Sequence, residues 1–341
     1  MNVPLWIWGL TVAAIIGMIV FDFLGHVRTP HAPTLRESAT WSAVYLGVAV
    51  VFGLLVVAFA GGTYGGEYFA GFITEKSLSV DNLFVFVLIM ASFRVPRELQ
   101  QKVLLFGIAF ALVLRTVFIF AGAAAIENFS WVFYLFGAFL LYTAVAQAAQ
   151  ARSGADDGEE EFAENAVLRI ARRILPTTED YAGDRLTTRI SGKRSITPLF
   201  IALIAIGSAD LLFAVDSIPA IFGLTQETYL VFTANAFALL GLRQLFFLID
   251  GLLDKLVYLA YGLAVILGFI GVKLVVHALH TNELPFLNGG EHITAIPEIP
   301  TWLSLAVIVG TLAVTTVASL AKNRRDERVG RAAEQVGGPT S

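Results

Sequence analysis

The chain has 341 residues, 57% of them hydrophobic and 15% charged, whereas a soluble domain carries roughly 25% charged residues. A net charge of −4 supplies no basic footprint for nucleic acid. The absence of cysteine removes disulfides, thiolate metal ligands and cysteine nucleophiles together.

The apolar residues fall in blocks of about 20, the length that crosses a ~30 Å hydrocarbon core at 1.5 Å per residue. This predicts an all-α polytopic protein embedded in the lipid bilayer. Nine spans are expected, over residues 4–24, 41–60, 66–91, 102–125, 129–149, 198–222, 228–249, 256–277 and 301–320. The first block lacks the basic start and small-residue cleavage site of a signal peptide, so it reads as a span. Residues 1–60 hold two N-terminal spans, and 61–149 a first group of three. Residues 150–197 form a loop with an amphipathic helix over Glu159–Leu175, where Phe162, Ala166, Ile170 and Ile174 share a face. That loop is expected to lie on the membrane surface, with a cytoplasmic partner as the sharper alternative. Residues 198–277 hold a second group of three, and 278–320 an outer loop and the last span. Residues 321–341 form a charged tail, expected to be disordered from Lys322 onward.

Nine spans put the termini on opposite sides. With the N-terminus outside and the C-terminus cytoplasmic, the inner segments hold 19 of the 23 Lys and Arg residues. The other four, Lys76, Arg115, Arg243 and Lys273, lie within spans. Loop basic charge sets orientation, so this split supports a multi-pass protein of the cell inner membrane.

Rare charges inside the spans expose an internal repeat. Setting Asp81 on Asp216 also sets Glu75 on Asp210. Phe110-Ala-Leu-Val-Leu-Arg115 then resembles Phe237-Ala-Leu-Leu-Gly-Leu-Arg243, with one residue inserted. Each unit is an acidic helix, an Arg-bearing helix and a Gly-containing helix. An odd number of spans per unit makes the repeat inverted, the plan of many transporters with sites near the midplane.

A carboxylate near mid-membrane costs at least ~2.5–3.5 kcal/mol, so these acids need a partner. One reading is internal pairing with Lys76, Arg115, Arg243 and Lys273. The other is a bound cation. On a straight helix Glu75 shares a face with Asn82, and Asp210 with Ser217, while residues six apart differ by about 120°. A common site therefore calls for a broken helix, foremost at Pro219, or for ligands drawn from both units. Oxygen ligands suit hard divalent ions. Asp22 and Arg243 are expected to snorkel at span ends. Glu67 reads as a helix-start charge or a vestibule residue, and His277, His280 and His292 sit at an outer end.

Glu75-Lys-Ser-Leu-Ser-Val-Asp-Asn82 and Asp210-Leu-Leu-Phe-Ala-Val-Asp-Ser-Ile-Pro-Ala220 resemble the two signatures of the TerC family of integral membrane proteins. Ala238-Leu-Leu-Gly-Leu-Arg243 and Gly268-Phe-Ile-Gly-Val-Lys273 are similar to further family segments. The resemblance implies a transporter related to LysE-type exporters, in a family named for tellurium resistance with relatives linked to Mn²⁺ efflux. It implies Glu75, Asp81, Asn82, Asp210, Asp216 and Ser217 as the acidic-motif residues, which are expected to ligate a transported divalent metal ion with no resident cofactor. Exchange for protons is expected because carboxylates that bind metal also bind protons. Arg115, Arg243 and Lys76 would supply counter-charge or gating. Many relatives have Glu where this chain has Gly207, which removes one carboxylate. The rival expectation is a non-transporting membrane scaffold in tellurite or metal stress. No nucleophile–base constellation points to an enzyme.

Overall fold

A computed structural model describes residues 1, 3–27, 33–153, 183, 185–190, 193–249, 257–284, 287–293 and 296–336. The amphipathic helix expected over Glu159–Leu175 lies outside the described residues. The elements are helices α1 (Leu5–Asp22), α2 (Leu35–Ala60), α3 (Gly62–Ser92), α4 (Arg97–Asn128) and α5 (Val132–Ser153), strands β1 (Thr187–Ile190) and β2 (Lys193–Ile196), then α6 (Pro198–Phe222), α7 (Thr228–Leu240), α8 (Leu242–Ile249), α9 (Leu259–His280) and α10 (Thr301–Val336). A π-helical turn, Phe23–Val27, follows α1.

Local chemistry sets the ends. Thr34 accepts a hydrogen bond from the Glu37 backbone N–H at 3.2 Å and so caps α2, in the Thr-x-x-Glu pattern of a capping box. Gly61 then separates α2 from α3 at φ 101°, a conformation open to glycine. Pro198 starts α6, where its missing N–H costs nothing.

Eight segments among the described residues are long and apolar enough to cross a membrane. The ninth expected span is α3, whose 31 residues suffice in length but carry Glu67, Glu75, Lys76 and Asp81. It packs inside the bundle against α2, α6, α7 and α10. Burial sorts the rest. In α1 and α10 only 17% of the apolar window is covered by protein, against 89% for Thr228–Leu248. The outer helices therefore turn apolar side chains toward lipid, and α7 forms the centre.

One expectation is corrected here. The tail is helical to Val336; its sequence spaces Glu327 four residues before Arg331, a helix-stabilising order. The loop region also contains an antiparallel hairpin, with Thr187 opposite Ile196 and Ile190 opposite Lys193.

The repeat is visible in the packing. Helix α3 packs on α7 while α4 packs on α6, and α5 packs on α9. Each pairing joins one unit to the other. A Cβ on Gly107 would come within 2.8 Å of Ile206, and one on Gly71 within 3.4 Å of Ala234. The offset of 135 residues that sets Asp81 on Asp216, and that of 127 that sets Phe110 on Phe237, turn the first contact into the second. Helices α5 and α9 run antiparallel. Gly137 lies against Val275, Gly271 against Leu141 and Gly268 against Ala144, so one sequence rises as the other falls. Their close approach needs glycine, because a Cβ on Gly137 would stand 3.0 Å from the Gly271 carbonyl oxygen. Equivalent helices that meet antiparallel belong to an inverted repeat.

Candidate functional site

The centre of the bundle is built around Arg115 of α4, which is fully buried. Its Nε donates to Asp210 Oδ2 at 2.8 Å and its Nη2 to Asp210 Oδ1 at 3.0 Å. This is the two-pronged geometry that a guanidinium offers a carboxylate. Its Nη1 donates to Glu75 Oε1 and, at 3.0 Å, to Ser217 Oγ. Glu75 comes from α3, and Asp210 and Ser217 from α6, so one cation ties both acidic helices together. Glu75 is 0% exposed and Asp210 2%. Ser79 Oγ adds a 3.5 Å contact to Glu75 Oε1, whereas Glu75 Oε2 has no partner.

Asp216 is half-buried and lies within electrostatic reach of Arg115 and Glu75. Asn82 is buried in α3. Asp81 lies in α3, with its side chain outside the described residues. Lys76 leaves the cluster: its Nζ donates to the Ala238 carbonyl at 3.0 Å. That carbonyl is in the last turn of α7, where acceptors are left open and the helix dipole favours a cation. Three acids, Glu75, Asp210 and Asp216, then surround one basic group, Arg115, so that carboxylates are in excess there. Among the described residues, no three His, Cys, Asp or Glu side chains gather closely enough to hold a metal ion. Arg115 is itself the cation that the acids of both units share.

Three sequence expectations change. Helix α6 stays helical through Pro219, so the break is not there. It lies instead at Gly241, between α7 and α8. Arg243, placed by sequence near the acidic motifs, is 3% exposed and bonds Asp22 Oδ1 at 2.8 Å and Gln101 Oε1 at 2.5 Å. Asp22 also accepts from Gln244 at 3.2 Å. Neither Asp22 nor Arg243 snorkels, because each neutralises the other inside the protein.

Sequence reasoning missed Asn235 of α7, which is 0% exposed. A lone amide in Thr-Ala-Asn-Ala-Phe was the available signal.

At the end of the bundle opposite the basic connectors, a cavity of about 540 Å³ is lined by Glu67, Glu227, Lys273, His277 and Glu298, among others. Glu67 Oε2 accepts from Thr225 Oγ1 at 2.7 Å. His277 bridges Gln226 at 2.7 Å and Glu298 at 3.2 Å. His280 and His292 bond backbone carbonyls instead. Glu67 lines this cavity and stands about two turns before Glu75 on the same helix.

A model of the integral membrane protein TerC family matches residues 60–327, the stretch that holds both acidic motifs and Arg115. The chain belongs to the TerC family. Its relatives include an uncharacterized membrane protein of Mycobacterium tuberculosis, 55% identical over 96% of this chain and 82% of the relative. An uncharacterized membrane protein of Myxococcus xanthus is 39% identical over 93% of each chain. The putative membrane-bound redox modulator Alx of Escherichia coli is 34% identical over 94% of this chain and 96% of its own. No solved structure matches.

In this TerC protein Gly207 has a packing role. A Cβ there would lie 2.7 Å from Phe110 Cδ1, so the ring of Phe110 occupies the space into which a larger side chain would extend.

Proposed function

We propose that this TerC protein is a secondary transporter that exports divalent cations, Mn²⁺ foremost, across the inner membrane in exchange for protons. The observation that carries this reading is the excess negative charge around Arg115. A buried unpaired charge costs several kcal/mol, so the cluster of Glu75, Asp210 and Asp216 is completed by a proton or a cation. A site that accepts either is what exchange requires. Asn82 and Ser217 stand on the same two helices and supply further oxygen, and Asp81 precedes Asn82 in α3. Arg115 competes with the cation for Glu75 and Asp210. It holds the acids together when the cation is absent and swings away when it is bound. The polar cavity leading toward Glu67 gives the cation an exit, and the N-terminus lies on that outer side.

The rival reading is a non-transporting scaffold, favoured by the completeness of the Arg115–Asp210 pairing. A redox role like that in the name of the Escherichia coli relative has no thiol to act through in this chain. Everted membrane vesicles containing the protein are expected to take up radioactive Mn²⁺ when a proton gradient is imposed. Glu75→Gln and Asp210→Asn, inserted at equal levels, should abolish uptake. Uptake equal to that of empty vesicles in the parent protein would favour the scaffold, and undiminished uptake in both variants would overturn the carboxylate site.

A further inference from the structure

Asn235 is a buried amide whose Oδ1 and Nδ2 both lack a hydrogen-bond partner. Buried side-chain polar groups are paired in the large majority of cases, and an exception commonly marks a place where a water or ion binds. Turning the amide over does not help, because both ends are open. The repeat does not account for it either. The offset that sets Phe110 on Phe237 sets Ile108 on Asn235, and Ile108 is an apolar core residue. The fold needs an apolar side chain at this position in one unit and carries an amide in the other.

Packing places Asn235 near another orphan of the centre. Gly71 of α3 lies against Ala234 of α7 and Ile221 of α6, which puts Asn235, the next residue, level with that turn of α3. Glu75 is one turn further along α3, and helix side chains tilt back toward the N-terminus. Helices α3 and α7 run parallel, since Gly71 meets Ala234 and Lys76 meets Ala238, so both side chains tilt the same way and the Glu75 carboxylate lies within about one helical turn of the Asn235 amide. Its Oε1 is held by Arg115, while its Oε2 is buried without a partner. Two adjoining helices therefore each carry one unsatisfied oxygen within about one turn of each other, beside a cluster in which carboxylates are in excess.

We propose that Asn235 is a ligand of the transported cation, its Oδ1 and Glu75 Oε2 forming a seat on the outward side of Arg115. This rests on the transport reading above. An amide oxygen with a carboxylate oxygen is a hard donor set that suits Mn²⁺, Mg²⁺ or Ca²⁺. The seat explains how a cation enters the cluster before Arg115 has released either acid: it first meets the one carboxylate oxygen that Arg115 does not hold.

The test is thermal unfolding of the purified full-length protein in detergent, titrated with MnCl₂. A ligand that binds the folded state raises the melting temperature. Asn235→Leu removes both orphan groups at similar volume, and Asn235→Asp keeps an oxygen. The Leu variant should melt no lower than the parent without Mn²⁺, yet need at least about tenfold more Mn²⁺ for the same rise. The Asp variant should respond at the parent's concentration or below. Asn235→Ala serves the same comparison should the Leu variant fail to fold. If the Leu or Ala variant responds at the parent's Mn²⁺ concentration, Asn235 is only a buried amide and the inference fails while the transport reading stands. If the parent responds to none of Mn²⁺, Mg²⁺ and Ca²⁺, the transport reading falls and the inference falls with it.

Discussion

Replacing Arg115 with Met tests whether the centre is held by charge. Arg115 is 0% exposed; three of its four hydrogen bonds reach two carboxylates that are also buried, and the fourth reaches Ser217 Oγ. Met keeps much of the volume and none of the charge. The substitution leaves two carboxylates facing each other in a low-dielectric core, and breaking such a buried pair costs about 3–5 kcal/mol. That is on the order of a hundredfold to a thousandfold or more in the folding equilibrium. Neutralising an acid should cost less. Because the cluster has more negative than positive charge, Glu75→Gln or Asp210→Asn leaves Arg115 with one carboxylate still in place, and each should cost about 1 kcal/mol, the scale of an ordinary hydrogen bond. The triple variant Arg115→Met, Glu75→Gln, Asp210→Asn carries no charge at these three positions and should recover most of the loss. Equilibrium unfolding by SDS in mixed micelles, followed by tryptophan fluorescence, measures all four. A loss of under about 1 kcal/mol for Arg115→Met, or a triple variant no more stable than the single one, would refute the charge argument.

Two further outcomes follow from packing. Gly207→Glu should destabilise by about 1–3 kcal/mol through its clash with Phe110, and adding Phe110→Ala should relieve it; equal melting temperatures with and without the second change would remove the steric explanation. Arg243→Met should cost about 3–5 kcal/mol by stranding Asp22, and Asp22→Asn in the same background should restore stability in the SDS titration. An Arg243→Met protein as stable as the parent would mean that the Asp22 pair contributes nothing to folding.

The membrane plan was legible because bilayer thickness imposes its length on apolar blocks, and because basic residues collect in a few connectors. The repeat was legible through Glu75, Asp81, Asp210 and Asp216, since charges are rare in such segments. What escaped was the choice of partner. Arg115 and Arg243 occupy matched positions, and nothing local says that one faces the acids while the other meets Asp22, 221 residues away in sequence. Pro219 was a reasonable place for a helix to break. Near the end of α6, however, the N–H it lacks costs one hydrogen bond, and the helix continues to Phe222. The hairpin had a signal in Ser191-Gly192 between two β-prone runs, Thr187–Ile190 and Lys193–Ile196, but so short a pair within a charged loop carried little weight. Asn235 had no distinguishing context, because an unsatisfied amide is defined by its neighbours rather than by its own segment.

The single inserted residue between Phe237 and Arg243 explains most of the asymmetry. One extra residue in a helix rotates everything after it by about 100°. Had Arg243 kept the register of Arg115, both arginines would point at the acidic helices and their charge would balance the acids there. The insertion coincides with the break at Gly241, where α7 ends and α8 begins. It redirects Arg243 to Asp22 on α1 and Gln101 on α4. It also ends α7 in mid-bundle, and Lys76 satisfies the Ala238 carbonyl thus left open. Two basic groups are withdrawn from the centre by one residue, one to Asp22 and one to a helix end. The acids are left with Arg115 as their one close partner among the described residues. The surplus of negative charge on which the transport reading depends is therefore built into the second repeat by an insertion, and an exact duplication would have cancelled it.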